Sequence, residues 1–128
     1  MPERAHPTDA GADLKCKEST HMPKGERVLV RTGVRTAIPA CYVGLLFPRS
    51  SLSKLGITMT NSVGVIDSDY RGEIMASLKY DGPEDSYYMP KGTKIVQLVI
   101  VPCLLDQFIT VETLSETERG EGGFGSTG

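Results

Sequence analysis

The chain has 128 residues, enough for one compact domain and too few for a second core, and its 14 Lys and Arg against 16 Asp and Glu leave a net charge of −2. That near-balance argues against a nucleic-acid coat or a polybasic membrane anchor. No apolar run approaches the roughly 20 residues needed to span a bilayer, and the N-terminus lacks a signal-peptide core, so a cytoplasmic protein is expected. Glycine (14) and proline (8) make up about a sixth of the chain against roughly 12% on average, which predicts many turns and few long helices.

In chain order, the first polar cluster is Thr8-Asp9-Ala10-Gly11-Ala12-Asp13-Leu14, where two acids bracket a glycine. Such a segment ordinarily forms a turn before a strand. A carboxylate here could also hold a hydrated Mg²⁺, which favours oxygen ligands and keeps several waters. Val28 and Val30 alternate with Arg27, Leu29 and Arg31 after the Lys24-Gly25 turn, the pattern of a half-buried strand. Val43 to Phe47 is a short apolar run that ends at Pro48. The following Pro48-Arg49-Ser50-Ser51-Leu52 opens the one candidate helix, Ser50 to Leu55, with Ser50 or Ser51 as its cap and Gly56 as its stop. Arg49 and the hydroxyls would stand at its start, where free N–H groups attract anions; an ordinary cap beside a solvated arginine is the plainer reading.

The densest cluster is Asn61-Ser-Val-Gly-Val-Ile-Asp67-Ser-Asp69-Tyr70-Arg71-Gly72-Glu73. Val63, Val65 and Ile66 should pin its first half to a core, while Gly64 and Gly72 would permit a tight hairpin. Alone, it could be a surface turn in which Asp67 or Asp69 pairs with Arg71. Next, Ile74, Ala76, Leu78 and Tyr80 alternate with Glu73, Met75, Ser77 and Lys79 before an Asp81-Gly82-Pro83 turn. Ile95 to Val101 reads as a fully buried strand, broken only by Gln97, whose amide needs partners in a core or at a subunit boundary. Residues 1–115 are therefore read as a single β-barrel or sandwich domain.

Residues 116–128 differ. This stretch is polar and glycine-rich with one aromatic, Phe124, and cannot bury enough apolar surface to order itself. It should stay mobile until docked, yet it carries Arg119 and glycines that allow close approach to phosphate. A Walker-type loop is excluded, because no Lys precedes Ser126-Thr127 and no helix follows. Cys16, Cys41 and Cys103 are odd in number, widely spaced and free of any Cys-x-x-Cys pair, so neither a zinc site nor a disulfide framework is expected. Cys103, after an apolar strand, reads as a small core residue.

Together these segments resemble the five motifs of the trimeric dUTPase family, in order and over nearly the whole chain: Thr8–Leu14, Pro48–Leu52, Asn61–Glu73, Gly92–Leu98 and Arg119–Gly128. The third and fifth are long and specific. The fourth departs from the usual Arg-Ile-Ala-Gln, with Lys94 and Val96 in place of Arg and Ala; Lys lacks the fork that makes two-pronged contacts.

The resemblance implies a homotrimer of jelly-roll-like subunits with shared sites, hydrolysing dUTP to dUMP and pyrophosphate with Mg²⁺. It implies Asp67 as the general base that orients a water, since a carboxylate is ionised at neutral pH. Asn61 and the backbone of Gly64, Val65 and Ile66 would read uracil, and Tyr70 would pack on the deoxyribose and exclude a 2′-hydroxyl. Arg49, Ser50, Ser51, Gln97 and Arg119 would hold phosphate oxygens. Phe124 and Gly125 would close on the base, Ser126 and Thr127 on the γ-phosphate, and Asp13 would bind Mg²⁺ through water. A dCTP deaminase is the nearest alternative, but its typical His-Pro-Gly-like segment is replaced here by Ile66-Asp67-Ser68-Asp69-Tyr70. A non-catalytic or regulatory trimer should have lost Asp67, Tyr70 or the tail, and none is lost.

Overall fold

The computed structural model describes residues 1–128. Its strands are β1 (Ala12–Lys15), β2 (Thr20–Pro23), β3 (Arg27–Val34), β4 (Tyr42–Pro48), β5 (Ile57–Met59), β6 (Gly64–Ile66), β7 (Ile74–Tyr80), β8 (Ser86–Met89) and β9 (Lys94–Pro102), with one helix, α1 (Ser50–Lys54). All pairings are antiparallel, in sheets ordered β1-β9-β4-β6, β3-β7-β5 and β2-β8. The all-β, jelly-roll-like expectation with one short helix is met. No helix is long and apolar enough to cross a membrane.

Period-two patterning produces these elements. Val30 and Thr32 of β3 point inward while Arg27, Leu29 and Arg31 face out; Ile74, Ala76, Leu78 and Tyr80 of β7 do the same. Ser77 departs from the alternation: it is buried, and its hydroxyl bonds to that of Thr60 at 2.6 Å. The core forms where Leu14, Leu46, Ile95, Val96 and Leu98 of one large sheet meet Val30, Ile57, Ile74 and Leu78 of the other. Each such side chain contributes about 1.5–3 kcal/mol by leaving water.

Several expectations are corrected. The N-cap of α1 is Arg49, not Ser50 or Ser51, and no side chain caps the helix. The cap residue's side chain is drawn away to an ion pair, and five residues are too few for a helix dipole to matter. Gly56 does stop the helix, at φ 73°. The segment Asn61–Glu73 is not a hairpin. The strand before it, β5, pairs with β7, whereas β6 inside it pairs with β4, so the segment carries the chain from one sheet to the other.

Only the first half of β9 is buried: beyond Leu98, Ile100 is exposed and Val99 and Val101 are partly so. The β-structure of the chain stops at Pro102 rather than near residue 115. Leu104, Leu105, Phe108, Ile109 and Leu114 all stand exposed on an arm that joins no strand. Cys103, at the root of this arm, is partly exposed, and the core cysteine is Cys16.

Candidate active site

The site is built in three parts. The first lies where β6 ends. Because β6 is the outer strand of its sheet, its far edge has no strand partner and leaves backbone groups free. Gly64 is buried against Leu46, which draws β6 tightly onto β4, while Val65 is exposed. The chain then turns, with Tyr70 N–H donating to Asp67 O at 3.1 Å, so Asp67 and Tyr70 share one turn. Tyr70 lies back over Gly72, where any side chain would collide with its ring, and its hydroxyl donates to Glu73 O at 3.0 Å. Arg71 donates to Ser68 O and Tyr70 O, so the pairing with Asp67 or Asp69 is not formed. Glu73 is held by Arg31 at 2.9 Å and by Gly33 N–H at 2.7 Å, and these contacts keep its carboxyl below the usual range.

These residues line a hollow of about 410 Å³ that brings together Asn61, Val65, Ile66, Asp67 and Tyr70. Asn61 enters it from a tight turn whose next residue, Ser62, has φ 61°. Asp67 is exposed on the hollow and takes part in none of the ion pairs of the molecule. Sequence reasoning missed Leu29, Thr60 and Met75, which also line it. The available signal was an apolar Leu29 on the polar face of β3, between Arg27 and Arg31.

The second part gathers Asp13, Arg49, Lys94 and Gln97 around a hollow of about 390 Å³. Register explains the grouping: Asp13 of β1 faces Gln97 of β9, and Gln97 faces Phe47 near the end of β4, next to Arg49. The Gln97 carboxamide packs where a side chain on Gly11 would sit, which is why the acidic turn needs that glycine. Asp13 is buried, one oxygen bound by Arg49 Nη1 and the other by Lys94 Nζ at 3.0 Å. Burial pushes its carboxyl upward, but the Lys94 and Arg49 contacts outweigh this and hold it below the usual range. Arg49 Nε is buried with no acceptor. Arg49 also borders a groove with Ser50, Ser53 and Ser62, while Ser51 is exposed on the helix.

Asp9 also lines this hollow, so two carboxylates balance the two cations there, and the donors that suit phosphate are the guanidinium, ammonium and carboxamide N–H groups of Arg49, Lys94 and Gln97. For a divalent metal, both Asp13 oxygens are already engaged, and no group of three acidic, histidine or cysteine side chains stands elsewhere. With both oxygens engaged, Asp13 would meet Mg²⁺ through water and not as one member of a protein-only cage.

The third part is the tail. Arg119 Nε donates to Gly122 O at 2.9 Å, and Arg119, Ser126 and Thr127 surround a hollow of their own. Phe124 is wholly exposed, in a left-handed conformation beside Gly125. No tail residue lines the hollow of Asp67 or that of Asp13. The chain thus carries all the expected residues but does not bring the three parts together.

A family model described as dUTPase matches residues 1–128. The deoxyuridine 5′-triphosphate nucleotidohydrolase of Cutibacterium acnes is 47% identical, over 100% of this chain and 85% of that protein. The dUTPase of Staphylococcus bacteriophage 80alpha, solved with dUpNHpp, superposes with a TM-score of 0.91 at 35% identity, covering 100% of this chain and 91% of that one. A phage phi11 dUTPase described as coordinating a structural Mg(II) ion has a TM-score of 0.81 at 29% identity, covering 88% and 90%.

Proposed function

The chain belongs to the dUTPase family, and from that premise we propose that it hydrolyses dUTP to dUMP and pyrophosphate by water attack on the α-phosphorus, with Asp67 as the base. The observation that carries this reading is Asp67 itself: an exposed carboxylate, free of any cation, on the hollow that Asn61 and Tyr70 also line. Asp67 orients a water and takes its proton as the new P–O bond forms and the bridging oxygen leaves with pyrophosphate. Asn61 and the open edge of β6 from Gly64 to Ile66 read the uracil edge. Tyr70, fixed through Glu73 O, presents its ring to the deoxyribose.

Arg49, Ser50, Ser51 and Gln97 hold phosphate oxygens, joined by Arg119 from the tail. Arg49 keeps about a third of its side chain exposed, which leaves guanidinium N–H groups open to phosphate oxygens. Asp13 aims Arg49 and would hold the waters of Mg²⁺, which when bound neutralises charge on the triphosphate. Residues 116–128 act as a lid, with Phe124 and Gly125 against the base and Ser126 and Thr127 on the γ-phosphate. The separation of the three parts within one chain supports a homotrimer in which neighbours complete each site around dUTP.

The test is pyrophosphate release from dUTP, dTTP, dCTP and UTP, with and without Mg²⁺. Strong preference for dUTP with Mg²⁺ is expected. Comparable turnover of UTP would remove the Tyr70 role, and ammonia release from dCTP would favour a deaminase.

A further inference from the structure

Cys41 closes the turn into β4, and Cys103 is the first residue beyond β9. These strands pair with Val43 opposite Val101 and Tyr42 opposite Pro102, so the next step of the same register sets Cys41 opposite Cys103. The Cys103 N–H donates to Cys41 O at 2.8 Å, the bond that closes the ladder beyond the Tyr42–Pro102 pair. The two cysteines lie just outside the strands and share this one backbone bond. A single antiparallel N–H···O bond still holds two opposite Cα atoms about 5.5 Å apart, inside the roughly 4.4–6.8 Å that disulfides span.

Three more observations bear on the pair. Cys41 is exposed and Cys103 partly so, whereas Cys16 is buried with its thiol donating to Glu18 O at 2.6 Å. Cys41 has φ 64°, a left-handed conformation that favours Gly or Asn, yet a cysteine stands there. No third metal-ligating side chain joins the two, which disfavours a thiolate metal site.

We propose that Cys41 and Cys103 form a redox-responsive dithiol that closes to a disulfide and clamps the root of the C-terminal arm to β4. Residues 103–128 join no strand of their own subunit, so the arm's course is otherwise set there by little more than one backbone hydrogen bond. The oxidant is a small-molecule disulfide. The Cys41 thiolate attacks one of its sulfurs, breaking that S–S bond and releasing one thiolate, which takes up a proton. The Cys103 thiolate then attacks Cys41 Sγ and expels the second thiolate. The protein loses two electrons and the small disulfide gains them.

The test incubates the intact native protein with oxidised glutathione, blocks remaining thiols with N-ethylmaleimide and maps peptides without reductant. The expected result is a linked peptide pair containing Cys41 and Cys103 within single chains, with both accessible thiols lost together and restored by dithiothreitol. Cys16 should react only after unfolding, and Cys41→Ser and Cys103→Ser should each instead retain a glutathione adduct. Stable adducts on both cysteines of the wild type, bonds between chains, or persistent free thiols would each overturn the proposal.

Discussion

Two aspartates at the two edges of the four-stranded sheet, one in β1 and one just after β6, meet opposite fates. Asp13 is buried and gripped through both oxygens by Arg49 and Lys94, whereas Asp67 is exposed and bound by no cation. A carboxylate with both oxygens committed has little left to offer a reacting water; it holds the Arg49 guanidinium in place. An uncommitted carboxylate contributes little to the fold and keeps its lone pairs free. On the proposed function, the difference separates a residue that shapes the site from one that acts in it.

The largest effect that bears on this contrast is on turnover. Asp67→Asn should lower kcat by about 10²–10⁴-fold. Its unfolding midpoint in urea should stay near wild type, because surface changes of this kind stay within about 0.5 kcal/mol. Removal of residues 119–128 should leave the sheets intact and lower kcat/KM on the order of 10²-fold, the scale of losing one transition-state donor. Full activity in the truncated chain would rule out the lid.

Asp13→Asn should act on stability first, costing about 1–3 kcal/mol in urea unfolding. That is less than a fully buried pair, because Arg49 and Lys94 keep 33% and 39% of their side chains exposed. Because Lys94 and Arg49 hold the folded carboxyl of Asp13 below the usual carboxylate range, its contribution is present above that range and lost as pH falls through the lower folded value. Wild type should therefore lose more stability than Asp13→Asn as pH falls below the usual carboxylate range. The smallest effect is expected for Lys94→Met, below about 1 kcal/mol, since half-exposed ion pairs contribute little.

Local chemistry was legible in the sequence. The alternation of Ile74 to Tyr80, the stop at Gly56 and the odd Gln97 inside an apolar strand all follow from the nearest neighbours in the chain. Partner choice was not. Asn61–Glu73 contains Asn61, Asp67 and Tyr70 of the hollow, but nothing in it says that Gly64–Ile66 pairs with β4 while Ile57–Met59 pairs with β7. Cys41 and Cys103 look unrelated in sequence and become neighbours only through the register of β4 and β9. The apolar residues from Leu104 to Leu114 read as part of a barrel, yet no strand of the chain receives them.

The division of labour between the two aspartates is tested most directly by calorimetric titration of Asp67→Asn with dUTP itself, which a variant without a base should bind and not consume. Affinity within a few-fold of that of wild type for a non-hydrolysable analogue is the expected result, with the whole loss confined to turnover. If affinity instead falls in parallel with kcat, Asp67 is a binding residue, and the contrast between a committed and a free carboxylate does not describe this site.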